Sequence, residues 1–145
     1  MGIKVVKFGI VGLGRLGLEH AKNLAARIPG AKLTALCDVD EQNLIKVGGE
    51  LDVAGLYTDF EKMCKEADID AVVIVSPSAY HTANIETAMN YGKHVFSEKP
   101  LDVSIERCKE AEKIVEAHPD LKFQIGYMRR YDNSYRIAKQ RLDAG

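Results

Sequence analysis

Tryptophan is absent from this 145-residue chain, proline is limited to four residues and cysteine to three. Cys37, Cys64 and Cys108 are an odd number at long spacings, which excludes a disulfide framework and matches no zinc-site pattern. All three sit in apolar patterns and read as reduced packing residues. Neither sign of charge prevails: 20 Lys and Arg stand against 21 Asp and Glu, a formal net charge of −1. The cations are spread along the chain, so neither nucleic acid nor an anionic membrane surface finds a basic footprint. No run approaches the roughly 18 apolar residues of a membrane span. The N-terminal apolar stretch is rich in glycine, carries Arg15 and lacks a small-residue cleavage pattern, which argues against a signal peptide and for a cytoplasmic location. No metal-ligand spacing, serine nucleophile elbow or Walker-type lysine is present.

What is present is organised around Val5 to Gly17, VVKFGIVGLGRLG. The stretch predicts a short buried strand, Val5 to Val11, that turns on Gly12, Gly14 and Gly17 into a helix, the G-x-G-x-x-G arrangement of dinucleotide sites. Gly12 permits the tight turn, Gly14 lets the backbone approach a pyrophosphate, and Gly17 lets the helix pack closely on the strand. The free N–H groups at the helix start then face the phosphates. Asp38 follows Gly17 by 21 residues, close to the roughly 20 expected for the acid that holds an adenine ribose.

Further along, the periodicity predicts a helix from Arg15 to Ile28, with Leu18, Ala21, Ala25 and Ile28 facing inward, and a strand from Lys32 to Asp38. Asp40 caps a helix expected to fade at Gly48-Gly49. A short strand at Gly55 to Tyr57 and a helix over Asp59 to Ala67 come next. Ala71 to Ser76 lacks polar alternation, as in a strand covered on both faces. A helix from Tyr80 to Tyr91, a strand from His94 to Glu98, and a helix starting at Ser104 with Ile105, Cys108, Ala111 and Val115 inward follow. Lys122 to Met128 is the sixth strand. Six alternations of strand and helix define a doubly wound parallel α/β sheet, a Rossmann-type fold ordered 3-2-1-4-5-6. Residues 1–130 form the dinucleotide-binding domain. Asp132 to Leu142, with Tyr135, Ala138 and Leu142 on one side, is a further helix in 131–145, capped by Gly145 and expected to lead toward a separate substrate domain, or else to pack on the sheet of a single-domain protein.

In such a sheet ligands bind beyond the carboxyl ends of the strands, and the residues that break the apolar pattern fall there. They are the glycine turn, Asp38, Ser76-Pro77, Glu98-Lys99-Pro100 and Met128-Arg129-Arg130. Asp38, Asp40 and Glu41, with no Arg nearby, favour NAD over NADP, whose 2′-phosphate they would repel. Lys99 is the candidate for chemistry: its ammonium can polarise an alcohol oxygen and relay its proton. Pro100 fixes the backbone beside it and is a site for a cis bond. His81, near a helix start, reads equally as a neutral donor to a cofactor oxygen and as a helix-surface residue. One of Arg129 and Arg130 is expected to grip a polyhydroxylated or anionic substrate. His20, His94 and His118 read as structural.

These pieces in this order resemble the N-terminal domain of the glucose-fructose oxidoreductase and inositol dehydrogenase family (Gfo/Idh/MocA) across essentially the whole chain. The matching runs are FGIVGLGRLG (Phe8 to Gly17) with His20, LCD (Leu36 to Asp38), VSPSAYH (Val75 to His81), GKHVFSEKP (Gly92 to Pro100) and GYMRRYD (Gly126 to Asp132), the last most similar to the inositol 2-dehydrogenase branch. The chain departs at Ser78, where many members have Asn after the Pro. The resemblance implies a catalytic Lys99, which also binds substrate, and Arg129 near the polyol. It implies a cofactor site built in the turn from Gly12, Leu13, Gly14, Arg15, Leu16 and Gly17. Asp38, Ser76, Pro77, His81, Glu98 and Met128 complete that site. The family's catalytic Asp and His belong to a following α/β domain, which also supplies the usual homo-oligomer interface. The chain alone is therefore expected to bind NAD but to oxidise a cyclic polyol or sugar slowly or not at all.

Two other readings of the same residues stay open. A nicotinamide-binding regulatory or sensor module would have no need of Lys99. A methyltransferase using S-adenosylmethionine also has a Gly-rich turn and an acid after its second strand, but explains neither Lys99 nor six parallel strands.

Overall fold

The computed structural model describes residues 4–145. Its strands are β1 (Val6–Val11), β2 (Ala31–Cys37), β3 (Gly55–Tyr57), β4 (Ala71–Ile74), β5 (His94–Ser97) and β6 (Phe123–Ile125). The helices are α1 (Arg15–Ala26), α2 (Glu41–Leu51), α3 (Phe60–Glu66), α4 (His81–Asn90), α5 (Ile105–Glu116) and α6 (Asn133–Ala144), with one-turn 3-10 segments at Ser78–Tyr80 and Met128–Arg130. The sheet runs β3-β2-β1-β4-β5-β6 with every pairing parallel, as the alternation of elements requires.

Each face of the sheet carries its own core. On one side Ile10, Leu33, Leu36 and Val73 pack with Ala21 and Leu24 of α1 and Leu44 and Val47 of α2. On the other, Val72, Ile74 and Val95 pack with Met63 and Cys64 of α3, Ile85 and Met89 of α4 and Ala111 of α5. Val72, Val73 and Ile74 thus point alternately to opposite faces, both apolar, which explains the unbroken run. Burial pushes the thiols of Cys37 and Cys64 up to about 12, whereas Cys108 is half-buried.

Several boundaries differ from the periodicity. Helix α1 buries Gly17, Ala21 and Leu24, leaving Ala25 and Ile28 exposed, because the close approach at Gly17 sets its rotation. Helix α2 runs through Gly48-Gly49 to Leu51. Gly48 is a contact point rather than a breaker: a Cβ there would lie 2.6 Å from Leu56 Cδ2 of β3. Ile105 is 70% exposed, and Ala111 is the residue that α5 buries. Strands β4, β5 and β6 stop sooner than expected, where the chain turns into loops at the sheet edge. Among the described residues, no helix is long and apolar enough to cross a membrane.

Candidate functional site

The register aligns the strand ends. Val11 pairs with Cys37 and Ile74, Ile74 with Ser97, and Ser97 with Ile125. One further backbone bond continues each ladder: Gly12 donates to Cys37 O at 2.9 Å, Val75 to Val11 O at 2.9 Å, Glu98 to Ile74 O at 2.9 Å and Gly126 to Ser97 O at 2.9 Å. Gly12, Asp38, Val75-Ser76, Glu98 and Gly126 therefore form one row along the carboxyl edge.

At the first turn, Gly12 has φ +89°, and a Cβ there would stand 2.6 Å from the Val75 carbonyl oxygen. At Gly17 a Cβ would stand 1.8 Å from Gly12 O, so both positions require glycine for the fold itself. Gly14 is different. It caps α1 with no side-chain bond, and a Cβ would meet nothing within 4 Å. The first-turn N–H groups of Arg15, Leu16 and Gly17 lack intrahelical partners by geometry and border this open space, a cradle fit for a pyrophosphate. Leu13 contributes backbone only, since its side chain is in the core. Its N–H donates to Asp38 Oδ2 at 2.6 Å, and its carbonyl accepts from Asn43 Nδ2 of α2 at 3.1 Å. Asp38 Oδ1 accepts from Asp40 N–H at 2.9 Å, and Asp40 in turn caps α2 by accepting from Asn43 N–H at 3.0 Å. Each Asp38 oxygen keeps a lone pair for a further donor.

On the other side of β1, Ser76 Oγ accepts from Asn84 Nδ2 at 2.9 Å, and Pro77 is exposed. Glu98 is half-buried beside Gly126, where a Cβ would come within 3.1 Å of Glu98 Oε1. That same oxygen lies 2.9 Å from His20 Nε2, while Oε2 accepts from Lys99 N–H at 3.2 Å. The Lys99–Pro100 peptide is cis. Lys99 is exposed at the edge, and its ammonium has no hydrogen-bond or ion-pair partner among the described residues.

One of the sequence expectations is not met by this geometry. His81 does not face a ligand: it is 1% exposed, with Nδ1 2.8 Å from Pro100 O and Nε2 2.8 Å from Ser76 O. Each nitrogen faces a backbone carbonyl, which can only accept, so a neutral ring donates to one of the two, only a doubly protonated ring donates to both, and neither nitrogen is turned to a cofactor oxygen. Arg129 points toward α6, pairing with Asp132 at 3.0 Å and lying 4.9 Å over the Tyr135 ring. Nothing joins it, exposed Arg130 or exposed Met128 to Lys99 by contact. Three residues bonded to these loops carried no signal in the sequence: Asn43, Asn84 and the buried Asp102, whose carboxylate accepts from Val103 N–H at 2.7 Å and Thr82 N–H at 3.4 Å. His20 offered one signal, its place one turn after Gly17. Among the described residues, no group of three His, Cys, Asp or Glu could hold a metal.

The model of an oxidoreductase family with an NAD-binding Rossmann fold, Gfo/Idh/MocA, matches residues 6–127. The chain belongs to that family. Among Gfo/Idh/MocA relatives it is 42% identical over 141 residues to scyllo-inositol 2-dehydrogenase (NAD(+)) of Bacillus subtilis, covering 97% of this chain and 41% of the relative. The solved scyllo-inositol dehydrogenase of Lactobacillus casei with bound NAD(H) and scyllo-inositol is 51% identical, with a TM-score of 0.95, over 98% of this chain and 42% of that one. The myo-inositol 2-dehydrogenase of Lactobacillus plantarum is 43% identical with a TM-score of 0.94, over 98% and 42% respectively. The chain thus spans about two fifths of these Gfo/Idh/MocA proteins.

Proposed function

We propose that this chain is the cofactor-binding part of an NAD-dependent dehydrogenase that oxidises a cyclic polyol of the inositol class. The observation that carries the reading is the edge itself: Asp38 is bonded to the glycine turn at one end, and the exposed Lys99 ammonium, unpartnered among the described residues, stands at the other. The inositol class rests on the relatives. Residues 1–130 are assigned to the dinucleotide unit and 131–145 to a helix leading toward a substrate domain, in a cytoplasmic protein that forms homo-oligomers.

When bound, NAD supplies the two-electron acceptor. The first-turn N–H groups of α1 hold its phosphates, and Asp38 accepts from the ribose hydroxyls. Asp38, Asp40 and Glu41 disfavour a 2′-phosphate. Lys99 polarises the substrate hydroxyl and relays its proton, while the Glu98 carboxylate accepts from the Lys99 backbone N–H. Arg129 is assigned to the polyol.

Titration of NADH and NADPH into the 145-residue chain, followed by nicotinamide fluorescence, tests this directly, because no Trp contributes emission. Saturable NADH binding that weakens in Asp38→Ala is expected. Tighter binding of NADPH, or of neither nucleotide, would overturn the reading.

A further inference from the structure

We propose that His81 is a positioning residue: its ring ties the Pro100 carbonyl to the end of β4 and so sets where the Lys99 ammonium stands over a bound dinucleotide. The inference rests on the reading of Lys99 as catalytic. Residues 99–103 make no backbone–backbone hydrogen bond among the described residues; the ladder ends with Glu98 N–H on Ile74 O, and helical bonding resumes with Cys108 N–H on Ser104 O. Side chains hold the segment instead. Glu98 accepts from Lys99 N–H, His81 Nδ1 meets Pro100 O at 2.8 Å, and Asp102 joins Val103 N–H to Thr82 N–H.

The first two residues of α4, His81 and Thr82, therefore grip the loop that carries the lysine. The other end of the His81 ring faces Ser76 O at 2.8 Å, in the loop after the neighbouring strand, and the ring donates to both carbonyls at once only when doubly protonated. At 1% exposure the ring cannot swing out, and an apolar replacement would leave two carbonyl oxygens without this partner. Pro100 is joined directly to Lys99, so a shift of its carbonyl moves the Lys99 backbone from which the ammonium is carried. A displacement of about 1 Å at a reacting group is enough to lose most of its effect.

The two contacts can be separated by amide variants. The carboxamide nitrogen of Asn reaches where Nδ1 sits and that of Gln where Nε2 sits, so His81→Asn keeps the Pro100 bond and His81→Gln keeps the Ser76 bond. The readout is the rate of Lys99 acetylation by acetic anhydride, followed by mass spectrometry with and without saturating NADH, beside an NADH titration and a melting curve. In the wild-type chain and in His81→Asn, NADH is expected to slow Lys99 acetylation by about tenfold. In His81→Gln that protection is lost although NADH still binds within about threefold of wild type. Equal protection in both variants, or parallel loss of NADH binding, protection and melting temperature in both, would overturn the proposal, since a merely structural histidine predicts no difference between them. Should His81→Gln fail to fold, Asp102→Asn loosens the same segment while keeping the Pro100 bond; it must still protect Lys99, and loss of protection there overturns the proposal. Wild-type chain that binds no NADH, or binds it without protecting Lys99, would instead defeat the functional reading beneath it.

Discussion

The backbone N–H of Leu13 donates to Asp38 Oδ2 across 2.6 Å, tying the glycine turn after β1 to the end of β2. The same carboxylate holds Asp40 N–H through Oδ1, so one side chain shapes two loops. A ribose diol would meet an acceptor already aimed. Charge-assisted bonds of this kind contribute about 1.5–3 kcal/mol. Asp38→Asn is therefore expected to weaken NADH binding by at least about tenfold and to narrow the gap between NADH and NADPH. Parallel fluorescence titrations check both effects.

The three glycines of the turn separate into two kinds. Gly12→Ala puts a Cβ 2.6 Å from Val75 O at a φ of +89°, and Gly17→Ala puts one 1.8 Å from Gly12 O. Both contacts are with backbone that cannot swing away, and a loss of about 2 kcal/mol or more is expected in each. Gly14, at φ −65° and ψ −172°, has an ordinary backbone and open space around it. Gly14→Ala should melt within about 2 °C of wild type. It should nevertheless bind NADH at least about tenfold more weakly, because the methyl occupies the phosphate approach. Melting curves and titrations on the three variants separate fold from ligand.

This division also shows what was legible in the sequence. The glycines signal themselves through spacing within one strand-turn-helix unit, Asp38 through the fixed offset that the dinucleotide motif gives it, and the strand ends through polar residues that interrupt apolar runs. The register of a parallel sheet then brings those ends into one row. The parts that were not legible are joined across long separations: His81 to Pro100 over 19 residues, Thr82 to Asp102 over 20, and His20 to Glu98 over 78. A histidine at a helix start looks the same in sequence whether its ring faces a ligand or two buried carbonyls. Ile105 misled for a related reason, since the face of α5 that meets the sheet is chosen by the small side chain of Ala111 rather than by its largest apolar residue.

Asp102 gives the fold an acid-sensitive joint. It is 6% exposed. Burial by itself would push its carboxyl up, but contacts with the Thr82 side chain and with the N–H groups of Val103, Thr82 and Ser104 outweigh that and hold it below the ordinary aspartate value. The folded chain thus binds the proton less readily than the unfolded one. The resulting stability is complete above the unfolded value of about 3.9 and is lost as pH falls through the lower folded value. Asp102→Asn is expected to melt about 5 °C lower at pH 7. The two melting temperatures should converge as pH drops below about 4, where wild type loses this contribution and the variant has none to lose. Parallel curves across that range would contradict the assignment.

Helix α6 stands apart from the rest in a measurable way. None of its residues is buried, and Leu142 is 80% exposed. Its ties to the preceding turn are the exposed Arg129–Asp132 pair and the Arg129–Tyr135 stacking, which are worth little in water. The residues assigned to the dinucleotide all precede it, and the Gln124 Nε2 bond to Tyr131 Oη at 2.9 Å lies outside it. Removing residues 132–145 should therefore change stability by no more than about 0.5 kcal/mol and the melting temperature by no more than about 2 °C. NADH affinity should be unchanged within about twofold, because no phosphate or ribose partner is lost. A fall of more than about 5 °C on truncation would mean that the apolar stripe of Tyr135, Ala138 and Leu142 is buried against the sheet in solution; an unchanged curve would mark 131–145 as a helix whose partner surface lies outside the dinucleotide unit.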